Sequence, residues 1–321
     1  MNNLATDPSA RIFLDSKYNR RDNLLINGDM RIDQRNAGGA VAPAAGVFTY
    51  TLDRWGVRVD TGGPHSVQQS TSVPSAQGFT NSLQITIGAA AAPAAGDLNY
   101  LSQRIEGYVL SKLGWGAVES LTLGLGFWAY ASVAGSYGVA FVNGASDYSY
   151  VTDFTVAETN KWVFYPLWIP GPIAGTWPTD HTLALQVIFD LGSGSNFDGT
   201  LNTWQSANKR RASGHVKLVN NAAAVLRITG VQLLPDTVDS TFPFRDYSEE
   251  VQRALRYFEQ KLVGVPALPA YYPLYYVRKR ATPAITGGGA GFATGGVLNA
   301  DAALIGQTAA AAQTLLIDAE L

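Results

Sequence analysis

The chain has 321 residues, 46% apolar and only 15% charged, with a formal charge of −2. That charge argues against a nucleic-acid binder, which would need a basic face. The absence of cysteine excludes disulfides, thiolate metal sites and thiol catalysis, and no apolar run reaches the roughly 18 residues of a membrane-spanning helix.

Residues 1–22 are polar and mixed in charge. They read either as a disordered tail or as an arm that anchors the chain to a larger assembly. They contain no apolar stretch of secretory type, so any work outside a cell is expected to follow release by lysis. From Asn23 the texture changes. NLLINGDMRIDQRN reads as an apolar strand, a Gly turn and a polar strand. FTYTLDRWGVRVD reads as a further strand, with Asp53 and Trp55 on one face: a core Trp beside a charge pair at a sheet edge. HSVQQSTSV and SLQITIGAA continue the pattern, and YLSQRIEGY fits a strand or a short helical turn.

The strongest strand signal lies at 121–150. Leu121, Leu123, Leu125 and Phe127 alternate with Thr122, Gly124, Gly126 and Trp128. An AGS break separates this strand from YGVAFV, and Asn143-Gly144 starts the next turn. Two neighbouring apolar strands need a facing sheet. WVFYPLWIP, HTLALQVIFDLG, GHVKLVN and AAVLRITGVQLLP extend the pattern to about Pro235. These short strands, broken by Gly, Pro and Asn and without helical period, predict an all-β class, a jelly-roll-like antiparallel β-sandwich over 23–246.

The period changes at SEEVQRALRYFEQKL. Ser248 can cap, Glu249 and Glu250 favour the positive helix end, Lys261 sits near the other end, and Val251, Leu255, Phe258 and Leu262 form one stripe. A helix is predicted over 247–262. Residues 263–321 then read as a small C-terminal β unit, in which 271–277 and TLLID are strand-like and 287–296, rich in Gly, is a turn or loop.

NLLINGDMRIDQRN followed by YTLDRW resembles the opening of many phage tail- and head-fibre proteins. LTLGLGFWAYAS, GPIAGTWPTD, FDLGSGSNFDGTLNTWQ, ITGVQLLP, FPFRDYSEEVQRALRYFEQ and the terminal IDAEL follow in the order of the same pattern, and the spikes of gene transfer agents are similar. The strand opening and LGFWAYAS are also similar to β-sandwich carbohydrate-binding modules. The resemblance spans roughly 23–321. It departs at Leu234-Pro235, where Leu-Glu is usual, so a carboxylate often found there is missing. The resemblance implies a virion protein, assembled in the bacterial cytoplasm and oligomeric, with a trimer the family expectation. It would join other virion proteins through the N-terminal arm and attach to host surface polysaccharide by multivalent, non-catalytic binding. Head or tail attachment stays open.

Sugars present C–H faces to aromatic rings and hydroxyls to Asp, Asn and Gln, and the chain has seven Trp and fifteen Tyr. Trp128 and Tyr130, opposite the apolar face of their strand, are the best candidates for stacking. Tyr148, Tyr150, Trp177 and Trp204 lie in loop-like sequence beside Asp147, Asp180 and Asn202, and each can equally be a core ring. His65, His181 and His215 stand far apart without ligand spacing, so no zinc and no cofactor are expected. Structural calcium stays open through Asp180, Asp190 and Asp198, which can equally cap turns. LGSGSN lacks the last Gly of a nucleophile elbow, and GGGAG lacks the strand-to-helix setting of a phosphate loop. Enzyme activity is not expected. A depolymerase working through two of Asp147, Asp153, Asp180 and Asp198 remains an alternative, as does a purely structural capsid decoration or connector.

Overall fold

A computed structural model describes residues 22–238, 240–265, 272–287, 292–299, 301–307 and 311–321. The expected arm over 1–22 lies outside the described residues apart from Asp22. The chain divides into two compact units, one up to Phe244 and one from Arg245.

The first unit is an antiparallel β-sandwich, as the period-2 pattern predicts. One sheet runs, in spatial order, β1 (Thr49–Tyr50), β2 (Trp55–Val59), β5 (Asn99–Glu106), β10 (Leu183–Asp190), β7 (Gly135–Asn143), β8 (Ser149–Val156) and β11 (Trp204–Gln205). The other runs β3 (Ser66–Ser70), β4 (Ser82–Thr86), β12 (Val225–Pro235), β6 (Leu123–Ala131) and β9 (Val163–Ile169). Their inward faces share one core, with Trp55, Leu101 and Phe141 from the first sheet and Leu125, Phe127 and Ile228 from the second. Phe127 bridges the layers, its ring centroid 5.0 Å from Phe189 and 5.1 Å from Phe154. Fully burying one such ring is worth about 1.5–3 kcal/mol.

The two strands of 121–150 do not form a hairpin. β6 lies in the five-stranded sheet and β7 in the seven-stranded one, so the pair supplies both layers itself. The break turns a corner at Gly135, whose φ is 131° and whose missing Cβ would lie 2.6 Å from Val216 Cγ2. Only glycine takes that conformation without cost.

Residues 23–36, expected as two strands about a Gly turn, form no ladder, and the stretch that follows adds an isolated bridge, Val41 to Val67. Side chains take the ladder's place. The Asn27 amide donates to Ile32 O (2.8 Å) and Asp53 O (3.0 Å), and its carbonyl accepts from Ile32 N–H. The Asp53 carboxylate accepts from Gln34 N and Nε2, both at 2.7 Å, and Trp55 Nε1 donates to Asn27 O at 2.9 Å. Asp53 and Arg54 sit in the turn before β2, Arg54 with φ 69°, rather than in a strand. Both are buried with Trp55, well inside and not at a sheet edge. Gly28 is required by close approach: a Cβ there would lie 2.1 Å from Val231 O. YLSQRIEGY is both of its readings, β5 followed by the one-turn helix α1 (Gly107–Leu110). GHVKLVN, expected as a strand, ends in a 3₁₀ turn, Leu218–Asn220.

In the second unit helix α2 spans Tyr247–Leu255, shorter than the predicted 247–262. Asp246, not Ser248, caps it, its carboxylate accepting from Ser248 N–H at 2.8 Å. From Phe258 the chain enters β13 (Phe258–Val265), which pairs along its full length with β18 (Ala311–Asp318). FEQKLVGV alternates as well as it spirals, and the eight-residue ladder decides between the two periods. Leu262, assigned to the helical stripe, is 73% exposed on β13. β15 (Ala284–Gly287) completes that sheet; β14 (Tyr272–Tyr275), β17 (Ala302–Gln307) and β16 (Phe292–Asn299) form a second. Part of the expected 287–296 loop is therefore strand β16, and 288–291 lie outside the described residues. Leu274, Ile305, Leu315 and Ile317 build a separate core. Lys279 is buried against Glu259, Nζ to Oε2 2.8 Å, and burial lowers its pKa.

Candidate functional site

The alternation that buries Leu125, Phe127 and Ala129 turns Trp128 and Tyr130 outward. Register then assembles a row across the outer face of the five-stranded sheet. Tyr130 lies opposite Arg227, Arg227 opposite Gln84, and Gln84 opposite Gln68. Trp162, just before β9, extends the row on the other side, its ring 5.8 Å from that of Tyr130. Four inter-strand steps make the row roughly 19 Å long. Beside it Trp128 meets Phe164 with ring centroids 5.6 Å apart.

The middle of the row is held in place. The Arg227 guanidinium carbon stands 4.6 Å from the centre of the Tyr130 ring, a cation–π contact. Its Nε donates to Gln84 Oε1 at 2.6 Å, and Gln84 Nε2 donates to Thr86 Oγ1 at 3.1 Å. Trp128, Tyr130, Trp162, Phe164, Gln84 and Arg227 are all half-buried, so each shows part of its surface to solvent. Farther along the face Trp168 is 53% exposed. The surface combines flat rings with fixed amide and guanidinium donors.

The remaining aromatic candidates gather elsewhere. Tyr148, Tyr150, Trp177 and Trp204 meet Trp115 at one end of the sandwich, with Tyr148 stacked on Trp204 at 5.4 Å and 5°. All three indole N–H groups are spent on backbone carbonyls, Trp115 on Leu121, Trp177 on Ala174 and Trp204 on Pro170. Tyr150 points into the core and is 3% exposed, so it offers no ring face to solvent. Asp147, which accepts from Asn143 Nδ2 at 2.7 Å, and Asp180 stand exposed near this cluster in sequence. Thr182, through its hydroxyl and backbone N–H, holds the Asp180 carboxyl below its ordinary range.

The other carboxylates are engaged locally. Asp190 is buried, which raises its pKa, and accepts from the backbone N–H of Gly192 and Ser193. Asp198 lies 3.2 Å from Arg211 Nε, and Asp153 3.3 Å from His215 Nε2. Burial, and secondarily the neighbouring Arg211, lowers the His215 pKa, although Asp153 acts against it. Among the described residues no group of three His, Cys, Asp or Glu side chains is placed to hold a metal.

Sequence reasoning missed Trp162, Phe164, Gln84, Arg227 and Trp115. The alternation of WVFYPLWIP carries a signal for the first two, and a lone Arg inside the apolar run AAVLRITGVQLLP carries one for Arg227.

Fold and face together define a β-sandwich with an aromatic and polar strip across one sheet. Comparison with family models and with curated proteins finds no match. Among solved structures the chain is similar to the enzymatically active domain of tailspike protein 4 of bacteriophage CBA120, at 14% identity over 57% of this chain and 19% of that one, TM-score 0.34. It is also similar to an arabinose-bound α-L-arabinofuranosidase, at 13% identity over 64% of this chain and 28% of that one, TM-score 0.34. A third is a family 11 carbohydrate-binding module from Clostridium thermocellum in complex with a mixed-linked tetrasaccharide, at 10% identity over 62% of this chain and 97% of that one, TM-score 0.29. The chain thus spans well under a third of the first two. At these TM-scores the likenesses support no inference about this chain.

Proposed function

We propose that this protein is an attachment component of a phage-type particle, a fibre or spike that binds host surface polysaccharide without cleaving it. The outer face of the five-stranded sheet is its binding surface. The observation that carries this reading is the row of Trp162, Tyr130, Arg227, Gln84 and Gln68, with Trp128 and Phe164 beside it. Rings supply stacking for sugar C–H faces, and the fixed polar groups supply hydrogen bonds for hydroxyls. None of the five strands contributes a carboxylate, and glycosidases work through a pair of them. The phage setting rests on the ordered resemblance of NLLINGDMRIDQRN, YTLDRW and the later segments. Affinity electrophoresis against a panel of bacterial surface polysaccharides tests the binding, with retardation by at least one polymer and no released oligosaccharide as the expected result. Retardation by none removes the reading.

A second reading, a structural decoration or connector, is favoured by Leu262 at 73% and Tyr275 at 67% exposure in the second unit, side chains that a neighbouring subunit would cover. It predicts that the protein binds nothing on a glycan array and that particles fall apart or fail to assemble without it.

A further inference from the structure

Arg227 is the only charged residue in the five strands of its sheet. Among the described residues no carboxylate pairs with it; its contacts are the Gln84 amide oxygen and the Tyr130 ring. Half-buried, this cation meets no carboxylate that would offset the cost of its partial desolvation. Here the neighbours are neutral and hold the side chain in place. Gln84 occupies Nε, Tyr130 lies against the flat guanidinium, and Gln84 is itself anchored on Thr86. The two terminal nitrogens are left as a forked pair of donors, the geometry that takes a carboxylate through two parallel hydrogen bonds.

We propose that the glycan this face recognises is acidic, and that Arg227 binds the carboxylate of a uronic acid or similar sugar while Tyr130, Trp162 and Trp128 stack on the rings beside it. The inference rests on the proposed binding role and narrows it to a substrate class. A neutral glycan offers the guanidinium hydroxyl acceptors alone, whereas a carboxylate meets the fork through two charge-assisted hydrogen bonds. An acidic chain supplies the missing counter-ion at the centre of the row, with stacking surface on one side and the Gln84 and Gln68 amides on the other.

The test is titration calorimetry of the full chain against a polyuronate and a neutral β-glucan, each at low and high salt. Arg227→Gln and Arg227→Lys are measured alongside. The expected result is tighter binding of the polyuronate, weakened by salt, with Arg227→Gln losing roughly 10- to 100-fold of that affinity. Arg227→Lys should recover only part of it, because an ammonium keeps the charge and loses the fork. The salt series on the unaltered protein decides the matter even where a variant fails to fold. Equal, salt-independent affinity for both polymers overturns the acidic assignment and leaves polysaccharide binding standing. No binding of the polyuronate overturns the acidic assignment whether or not the glucan binds, and the panel of surface polysaccharides decides the binding role separately.

Discussion

At the scale of single residues, the side chains that carry the fibre-like resemblance are structural. Asn27, Gln34, Asp53 and Trp55 bond to one another and to nearby backbone, and Gly28 admits the Val231 carbonyl. Asp53→Ala removes the buried carboxylate that accepts from Gln34 N–H and Nε2, at a cost of roughly 2–4 kcal/mol. A chemical denaturation midpoint reads this directly, and an unchanged midpoint would contradict the role. His215 gives a pH prediction. Its folded-state pKa is lowered, so the native protein holds the neutral ring while the unfolded chain takes up a proton near pH 6.5. Its contribution is therefore complete above about pH 6.5 and is lost as pH falls below that value through the folded pKa. Denaturation midpoints at pH 7.5 and 5.5 should show this fall in the wild type. His215→Asn, whose amide oxygen can replace Nδ1 as acceptor for the Ala212 N–H, should show less of it.

At the scale of elements, what is legible in the sequence is what alternation alone controls. The inward set Leu123, Leu125 and Phe127 and the outward pair Trp128 and Tyr130 follow from a period of two, and the structure places them so. Pairing is a different matter. That Tyr130 faces Arg227, and Arg227 Gln84, depends on bringing together positions 97 and 143 residues apart, and nothing local in HSVQQSTSV or SLQITIGAA announces their partners. The same limit explains β6 and β7, neighbours in sequence that lie in opposite sheets. It also explains the short helix, since FEQKLVGV suits both periods and the distant β18 decides. Where a local rule does operate, its energy is measurable. Asp246→Ala removes the cap of α2 and should destabilise the second unit by about 1 kcal/mol. The helical far-UV signal would then melt earlier, and an unchanged melt would show that the ladder of β13 alone fixes the helix.

At the scale of the whole molecule, a low-charge sandwich with a row of rings on the outer face of its five-stranded sheet is suited to weak contacts repeated many times. In the proposed role one copy would bind weakly through a few stacked rings, and several copies on one particle would raise the effective affinity by about 10²–10⁴ without any new contact. Isolated protein should therefore release a surface polysaccharide rapidly, while a multivalent display of the same chain holds it. Surface plasmon resonance at low and high immobilisation density separates the two cases, and equal dissociation rates would argue against an avidity mechanism. The central claim is that the outer face of the five-stranded sheet binds glycan. Its most direct test is the affinity of a Tyr130→Ala/Trp162→Ala double variant for the polysaccharide that retards the wild type. The account predicts that retardation is lost while the circular dichroism spectrum is kept; a folded variant that is retarded like the wild type would contradict it.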